Sequence, residues 1–259
     1  MTGFVVPVRL KAFSIHILIS TAAFLVILYL ILFHWYPKPH FVVNGGWQGV
    51  RIMLCVDFTI GPFLTLILFN KGKSRKALIF DLCVIAIVQV GAFGWGVYAV
   101  HSQRPVGLVL SSTGTIYPLL EEELSKQDKT PADMQQFANG KLPLAYAREP
   151  STDEEKAGAF TYEFVEGMSS DKLFFLFEPV KQHIDDLFAA SLEKIANPPK
   201  TFLEIRKKYL AEHHYKEDEV AFVPFVGKYG YSLLVFNRSG AVIDAIPDPR
   251  YGNYPSLLF

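Results

Sequence analysis

Apolar residues run almost unbroken through three stretches of the first hundred positions, and the pattern changes after them. The first stretch, "AFSIHILISTAAFLVILYLILF" at 12–33, carries one histidine and no formal charge across 22 residues. As a helix it is long enough for a hydrocarbon layer of roughly 30 Å. A secretory signal has a shorter apolar core of about 7–15 residues and a small-residue cleavage site. Here "HWYPKPH" follows instead, so an uncleaved anchor is expected, with Trp35 and Tyr36 at the interface. The second stretch covers about 50–69 and the third, "ALIFDLCVIAIVQVGAFGWGVYAV", covers 77–100. The seven residues "NKGKSRK" between them are too few to fold alone, so the second and third stretches form a hairpin.

Beyond residue 101 the periods are those of a folded polar domain. "VGLVLSS" (106–112) reads as a strand that turns at Thr113-Gly114, and "TIYPLL" returns, with Pro118 favouring an edge. "LEEELSKQ" and "PADMQQFAN" are short helix candidates, and 139–160, rich in Pro, Gly and charge, reads as loop. Helical spacing returns over 178–196 and 200–214, divided by Pro198-Pro199. "VAFVPFV", "YSLLVFN" and "GAVIDAI" are strands, the last two joined by a hairpin at Asn237-Arg238-Ser239-Gly240. The expected fold class is a membrane α-helical part with three transmembrane helices, residues 1–105, followed by an extracytoplasmic α+β domain, residues 106–259. That domain is expected to be a small antiparallel sheet with helices on one face.

Charge divides the chain at the same place. Residues 1–100 carry eight Lys/Arg and two Asp; residues 101–259 carry seventeen Lys/Arg and twenty-three Asp/Glu. Arg9, Lys11 and the four cations of the 70–76 loop face one Lys38 between the first two stretches, with Arg51 at the edge of the second. The positive-inside bias therefore places the N-terminus and that loop in the cytoplasm, and the C-terminal domain outside. "KSRK" beside the membrane suits anionic lipid, whereas nothing points to nucleic acid.

Two polar features interrupt the apolar stretches. Asp57 lies a third to halfway across the second, where an ionised carboxylate costs about 2.5–3.5 kcal/mol. It must be neutral or partnered, and His16, Ser20 and Gln89 are the polar groups within the bundle. Gly61-Pro62 follows four residues later; Pro62 has no N–H for the carbonyl of residue 58, and Thr65 stands one turn beyond Gly61 to serve a freed carbonyl. Asp81 sits near the cytoplasmic end of the third stretch, within reach of the basic loop. Gly91, Gly94 and Gly96 of "GAFGWG" allow another helix to approach closely, from this chain or a partner.

Catalytic signals are missing from the sequence. Cys55 and Cys83 lie in apolar stretches and read as packing residues, and the seven histidines form no metal signature. No HExxH, GxSxG or phosphate-cradling GxxxxGK[ST] occurs. No catalytic residue, cofactor or metal is expected.

The runs "RLKAFSIHILIS" (9–20), "WYP" (35–37), "DFTIGPFLTLILF" (57–69), "FDLCVIAIVQ" (80–89) and "RP" (104–105) resemble the type IV pilin accessory proteins of the TfpX/TfpZ group. The similarity is dense over 9–105, includes His16, Asp57, Gly61, Pro62, Thr65, Asp81, Gln89 and Arg104, and fades in the polar domain. It implies a bacterial inner-membrane protein with a periplasmic domain that helps a cognate major pilin, and through it the pilus assembly machinery, without catalysis. The pilins of such systems resemble single-span proteins whose apolar helix carries an acid near its mature N-terminus. Polar groups at His16, Asp57 and Gln89 would suit such a helix. The exposed-looking tyrosines of "KYGY" (Tyr229, Tyr231) and "RYGNYP" (Tyr251, Tyr254) are the candidate specificity surface on the pilin head side. A membrane enzyme acting on lipid or pilin would need a second acid to work with Asp57. A transmembrane sensor would need a cytoplasmic output module larger than seven residues.

The charge asymmetry makes a direct prediction about topology. A reporter active only outside the cytoplasm works when fused after residue 110 and is silent after residue 74; the reverse pattern would overturn the orientation.

Overall fold

The computed structural model describes residues 8–38, 40–55, 61–68, 74–191 and 200–247. The chain divides into two compact units, one of Met1–Trp35 with Gly46–His101 and one of Tyr36–Gly45 with Ser102–Phe259.

The first unit is helical. Helix α1 (Val8–Leu30) continues as a π-helical segment, Ile31–Trp35. After the short α2 (His40–Val43), which belongs to the second unit, come α3 (Gly46–Cys55), α4 (Gly61–Leu68) and α5 (Arg75–Ser102). Two helices are long and apolar enough to cross a membrane among the described residues, Leu10–Trp35 and Arg75–Ser102. The expectation of three such helices is corrected here. The 50–69 stretch enters the structure as parts of α3 and α4, ten and eight residues long. Residues 56–60 and 69–73 lie outside the described residues, and the two described pieces, about 15 and 12 Å at 1.5 Å per residue, are each shorter than a hydrocarbon core of roughly 30 Å. Asp57 lies outside the described residues.

The outward side chains of α1 and α5 are apolar: Leu18, Ile87, Val90 and Trp95 are each at least 70% exposed. A surface of that kind fits hydrocarbon and not water. His16 meets Gln89 and Trp35 packs edge-on to His101 with ring centroids 4.9 Å apart, so α1 and α5 run parallel. Helix α3 runs back along α5. A Cβ on Gly49 would come within 2.3 Å of the Val100 side chain, and one on Gly96 within 3.2 Å of Met53. Of the three glycines in "GAFGWG", Gly96 therefore serves packing inside the chain, while Gly91 and Gly94 face open space.

The second unit holds the sheet. In chain order it contains β1 (Pro105–Ser111), β2 (Ile116–Leu120), α6 (Glu121–Ser125), a 3-10 turn at Asp133–Phe137, β3 (Leu144–Ala147), α7 (Asp153–Glu166), β4 (Phe177–Pro179), α8 (Ile184–Ala189), α9 (Lys200–His213), β5 (Val220–Val226), β6 (Tyr231–Asn237) and β7 (Val242–Pro247). The sheet is a mixed one of seven strands, ordered β4-β3-β1-β2-β5-β6-β7, with β1–β3 and β2–β5 parallel. The α+β class stands, but the wholly antiparallel sheet does not. Helices also cover both faces, not one. In β5, Val220 and Phe222 pack with Phe202, Tyr209 and Leu210 of α9, while Ala221, Val223 and Phe225 pack with Leu187 and Phe188 of α8. Period-2 alternation sends these two sets to opposite faces, and both find cover. The near-continuous apolar reading of "VAFVPFV" follows from that double burial. Pro118 is tolerated inside the strand order because β2 pairs with β5 only at Ile116↔Phe225, so the proline lies past that ladder.

Two local expectations change. The 139–160 stretch is not loop throughout but contains β3 and the start of α7. Thr152 caps α7 by accepting from the Glu155 N–H at 3.1 Å, and the Glu155 carboxylate accepts from the Thr152 N–H at 3.3 Å. Gly167 closes the helix at φ 63, a left-handed conformation that favours glycine. The helix expected at 178–196 starts as strand, because Glu178 and Pro179 pair with Tyr146 and Ala145 of β3; helix α8 is correspondingly short. Residues 192–199 lie outside the described residues.

Most of the described residues of Tyr36–Gly45 are part of this unit's core. Tyr36, His40, Phe41, Val42, Val43 and Asn44 are each no more than 6% exposed. Val43 packs with Leu108, Ile116 and Leu234, and its carbonyl accepts from the Tyr229 N–H at 2.8 Å. Gly227 comes so close that a Cβ there would meet the Val43 carbonyl and the Asn44 side chain at 2.5 Å. The amide of Asn44 donates to His40 Nδ1 at 2.9 Å, and the imidazole packs edge-on to Phe225. Burial pushes the His40 pKa down to about 3.

An unfolded chain protonates this imidazole near pH 6.5, whereas the folded one resists until about 3. The unfolded state therefore binds more protons between those values, and stability is full above about 6.5 and falls as the pH drops through the window. Between pH 6.5 and 4.5 the second unit is expected to lose on the order of 2 kcal/mol from this group. Hydrogen exchange of the β5–β6 amides at both pH values measures it, and His40→Gln should lower stability at neutral pH while flattening the fall.

Candidate functional site

Four polar side chains meet inside the first unit. Thr65 on α4 lies with Oγ1 2.7 Å from His16 Nδ1 on α1, and Gln89 on α5 places Oε1 2.5 Å from His16 Nε2. The Gln89 amide donates to Ser20 Oγ at 3.2 Å, one turn along α1 from His16. An amide oxygen can only accept, so His16 Nε2 carries a proton and, in the neutral ring, Nδ1 accepts from the Thr65 hydroxyl. The donors then point one way along the chain Thr65, His16, Gln89, Ser20. Ser20 and Thr65 are buried, at 8% and 3% exposed. Polar groups so placed are tolerable because each has a partner.

The cluster borders an apolar groove of about 480 Å³ between α1 and α5. Its walls run from Ala12 to Ala23 on one helix and from Leu82 to Phe93 on the other, with Ile15, Ile19, Ala86 and Val90 among the lining residues. Eleven steps of 1.5 Å along each helix make it about 16 Å long. Its lining pairs aliphatic walls with a few convergent polar atoms, the usual composition of a binding site.

Of the residues singled out from sequence, His16, Thr65 and Gln89 come together here, with Ser20. Pro62 is buried in the first turn of α4. Asp81 sits on α5 eight residues before Gln89, about 12 Å along the axis, and outside the cluster. Arg104 lies in the second unit, with a guanidinium nitrogen 3.0 Å from Glu121. Tyr229 and Tyr231 are 45% and 46% exposed. Part of Tyr229 is structural: its ring covers Gly45, and Lys228 Nζ stands 5.7 Å from the ring centre. Tyr251 and Tyr254 lie outside the described residues. Tyr36, expected at an interface, is buried in the second unit; burial pushes its hydroxyl pKa up, Arg104 pulls it back and Tyr229 adds to the rise.

Sequence reasoning passed over two features. The Tyr36–Gly45 core segment was treated as a connection, although "HFVV" is an apolar run where a solvated loop has none. Helix α7 was hidden by its charge, although Thr152-x-x-Glu155 is a capping-box spacing. No group of three His, Cys, Asp or Glu able to hold a metal occurs among the described residues.

Comparison with known proteins gives relatives in one bacterium, Dichelobacter nodosus. The chain is 27% identical to its fimbrial assembly protein of serogroup I over 241 residues, covering 87% of this chain and 89% of that one. It is 36% identical to the serogroup E1 protein over 99 residues, 38% of each chain. To the fimbrial assembly protein of serogroups C1 and C2 it is 35% identical over 99 residues, 38% of this chain and 76% of that one. No protein-family model matches the chain, and no solved structure does. At that identity and coverage, the chain belongs to the family of these fimbrial assembly proteins.

Proposed function

We propose that this chain is a non-catalytic accessory factor of the inner membrane that assists assembly of a cognate type IV pilin, holding the pilin's apolar helix in the α1–α5 groove. The observation that carries this reading is the hydrogen-bonded chain Thr65–His16–Gln89–Ser20 beside a groove of about 480 Å³. An apolar helix with one acidic side chain finds there both aliphatic walls and polar atoms for the acid. The relatives named fimbrial assembly proteins support the setting.

Three crossings of the membrane fit the contacts within the first unit. Helices α1 and α5 run parallel, so the chain between them must return, and α3 descends along α5 from Val100 to Gly96. Helix α4 then reaches the level of His16 through Thr65. On this reading α3 and α4 belong to the second crossing. The positive charges on the N-terminal tail and the 70–76 loop favour a cytoplasmic N-terminus and a periplasmic second unit.

The test is photocrosslinking in membranes of cells that express the cognate pilin. A crosslinker at Ile15 or Ala86 should capture the pilin's helix, uncleaved and unmodified. Replacing Gln89 with Leu, which removes the link between His16 and Ser20, should lower capture and surface pili several-fold while the protein level is kept. Equal capture by the Gln89→Leu protein would overturn the role of the polar chain, and no capture from either position would overturn the groove.

Choice of pilin falls, on this reading, to the second unit, because apolar helices of different pilins offer the groove similar surfaces. A chimera with a relative that serves another pilin has to exchange 36–45 together with 102–259, since the two pack as one core. Such a chimera should assemble the relative's pilin when cells are supplied with one pilin at a time. If it still assembles only this chain's own pilin, specificity lies in the helices.

A further inference from the structure

We infer that the outward face of α7 is a docking surface for a basic amphipathic segment of a partner protein. Helix α7 is capped at both ends and attached along one side, where Ala159 and part of Tyr162 pack over Met168, Leu173 and Leu176. The opposite side carries large apolar residues into solvent. Phe160 is 67% exposed, Phe164 81% and Val165 68%. The two phenyl rings, one turn apart, stack with centroids 5.9 Å apart at 13°. Off the helix, Phe175, 43% exposed, stands against Gly158, where a Cβ would lie 3.6 Å from its ring. Scattered exposed hydrophobes are ordinary, but two stacked phenyl rings with a neighbouring exposed valine on one capped helix mark an interaction site.

Charge around the patch selects the occupant. The helix "DEEKAGAFTYEFVE" holds five acids and one lysine. Arg148 holds Glu155 and Lys126 approaches Glu166, while Lys156 pairs with Asp153. Glu154 and Glu163 make no ion pair among the described residues, and Glu163, three residues after Phe160, lines the edge of the aromatic face. An anionic bilayer surface is repelled by this rim. A second copy of the chain brings the same acidic helix, on a half that carries an excess of six acids. A segment with an apolar stripe flanked by Lys or Arg meets both the phenyl rings and the carboxylates.

The full-length chain in phosphatidylcholine nanodiscs is titrated with a fluorescent amphipathic Leu/Lys helical peptide, with empty discs subtracted, and with the corresponding Leu/Glu peptide. Saturable binding of the Leu/Lys peptide is expected, with none of the Leu/Glu peptide. The Phe160→Ser/Phe164→Ser variant should weaken it about tenfold or more. Glu154→Lys/Glu163→Lys, which leaves the rings in place, should weaken it as well. Equal binding by the phenylalanine variant, or equal binding of both peptides, would overturn the proposal. So would a sedimentation result in which the chain self-associates through this face and the phenylalanine variant does not.

Discussion

A buried hydroxyl, imidazole or amide among leucines and valines must find a hydrogen-bond partner, and that requirement organises the helical unit. Apolar side chains facing hydrocarbon can slide past one another at little cost, because lipid tails are as apolar as leucine. The bonds from Thr65 to His16 to Gln89 to Ser20 remove that freedom. They tie α4, α1 and α5 at one level, and a shift by a single residue would turn at least one group away from its partner. The close contacts of Gly49 with Val100 and Gly96 with Met53 then fix how α3 lies on α5. With the floor pinned, the groove beside it keeps one shape.

The second unit obeys a different constraint. Its central strands are covered on both faces, β1 and most of β5 being buried, and Tyr36–Gly45 covers part of one face. The chain therefore enters this unit at 36, leaves at 45 and returns at 102. A connection that supplies core residues cannot be shortened like a surface loop. His40 shows the cost of the arrangement, because a titratable ring is kept neutral by burial with only Asn44 donating to it.

Legibility in the sequence followed the strength of the period. The long apolar helices, the strands "VAFVPFV" and "YSLLVFN" and the helix at 200–214 were plain, since burial on one or two faces leaves an unambiguous pattern. The polar cluster was half legible: His16, Ser20, Thr65 and Gln89 stand out as polar residues in apolar stretches, but which of them meet depends on helix rotation, which a single sequence does not display. The sheet's parallel pairings depend on which distant strands become neighbours, so β1–β3 and β2–β5 had no local signature. Helix α7 was lost because its charge resembled a solvated loop, and its phenylalanines lack the buried partners that make a helical period conspicuous.

Division of labour between the two units follows from what each surface can distinguish. A groove with aliphatic walls accepts apolar helices in general, because dispersion and hydrocarbon exclusion depend little on which aliphatic residue is present. On the proposed reading its polar floor adds one requirement, a polar group at the right depth. Discrimination between related partners needs charges and shaped contacts that penalise the wrong one, and these lose strength to water only where they are exposed. The central strands supply few of them, since β1 and most of β5 are buried in the core. What remains is the periphery of the second unit, where α7 and the half-exposed Tyr229 and Tyr231 lie. On the proposed reading, selective contact with a partner therefore belongs to elements that the core holds rigid but does not consume, and the helical unit is left free to treat different apolar helices alike.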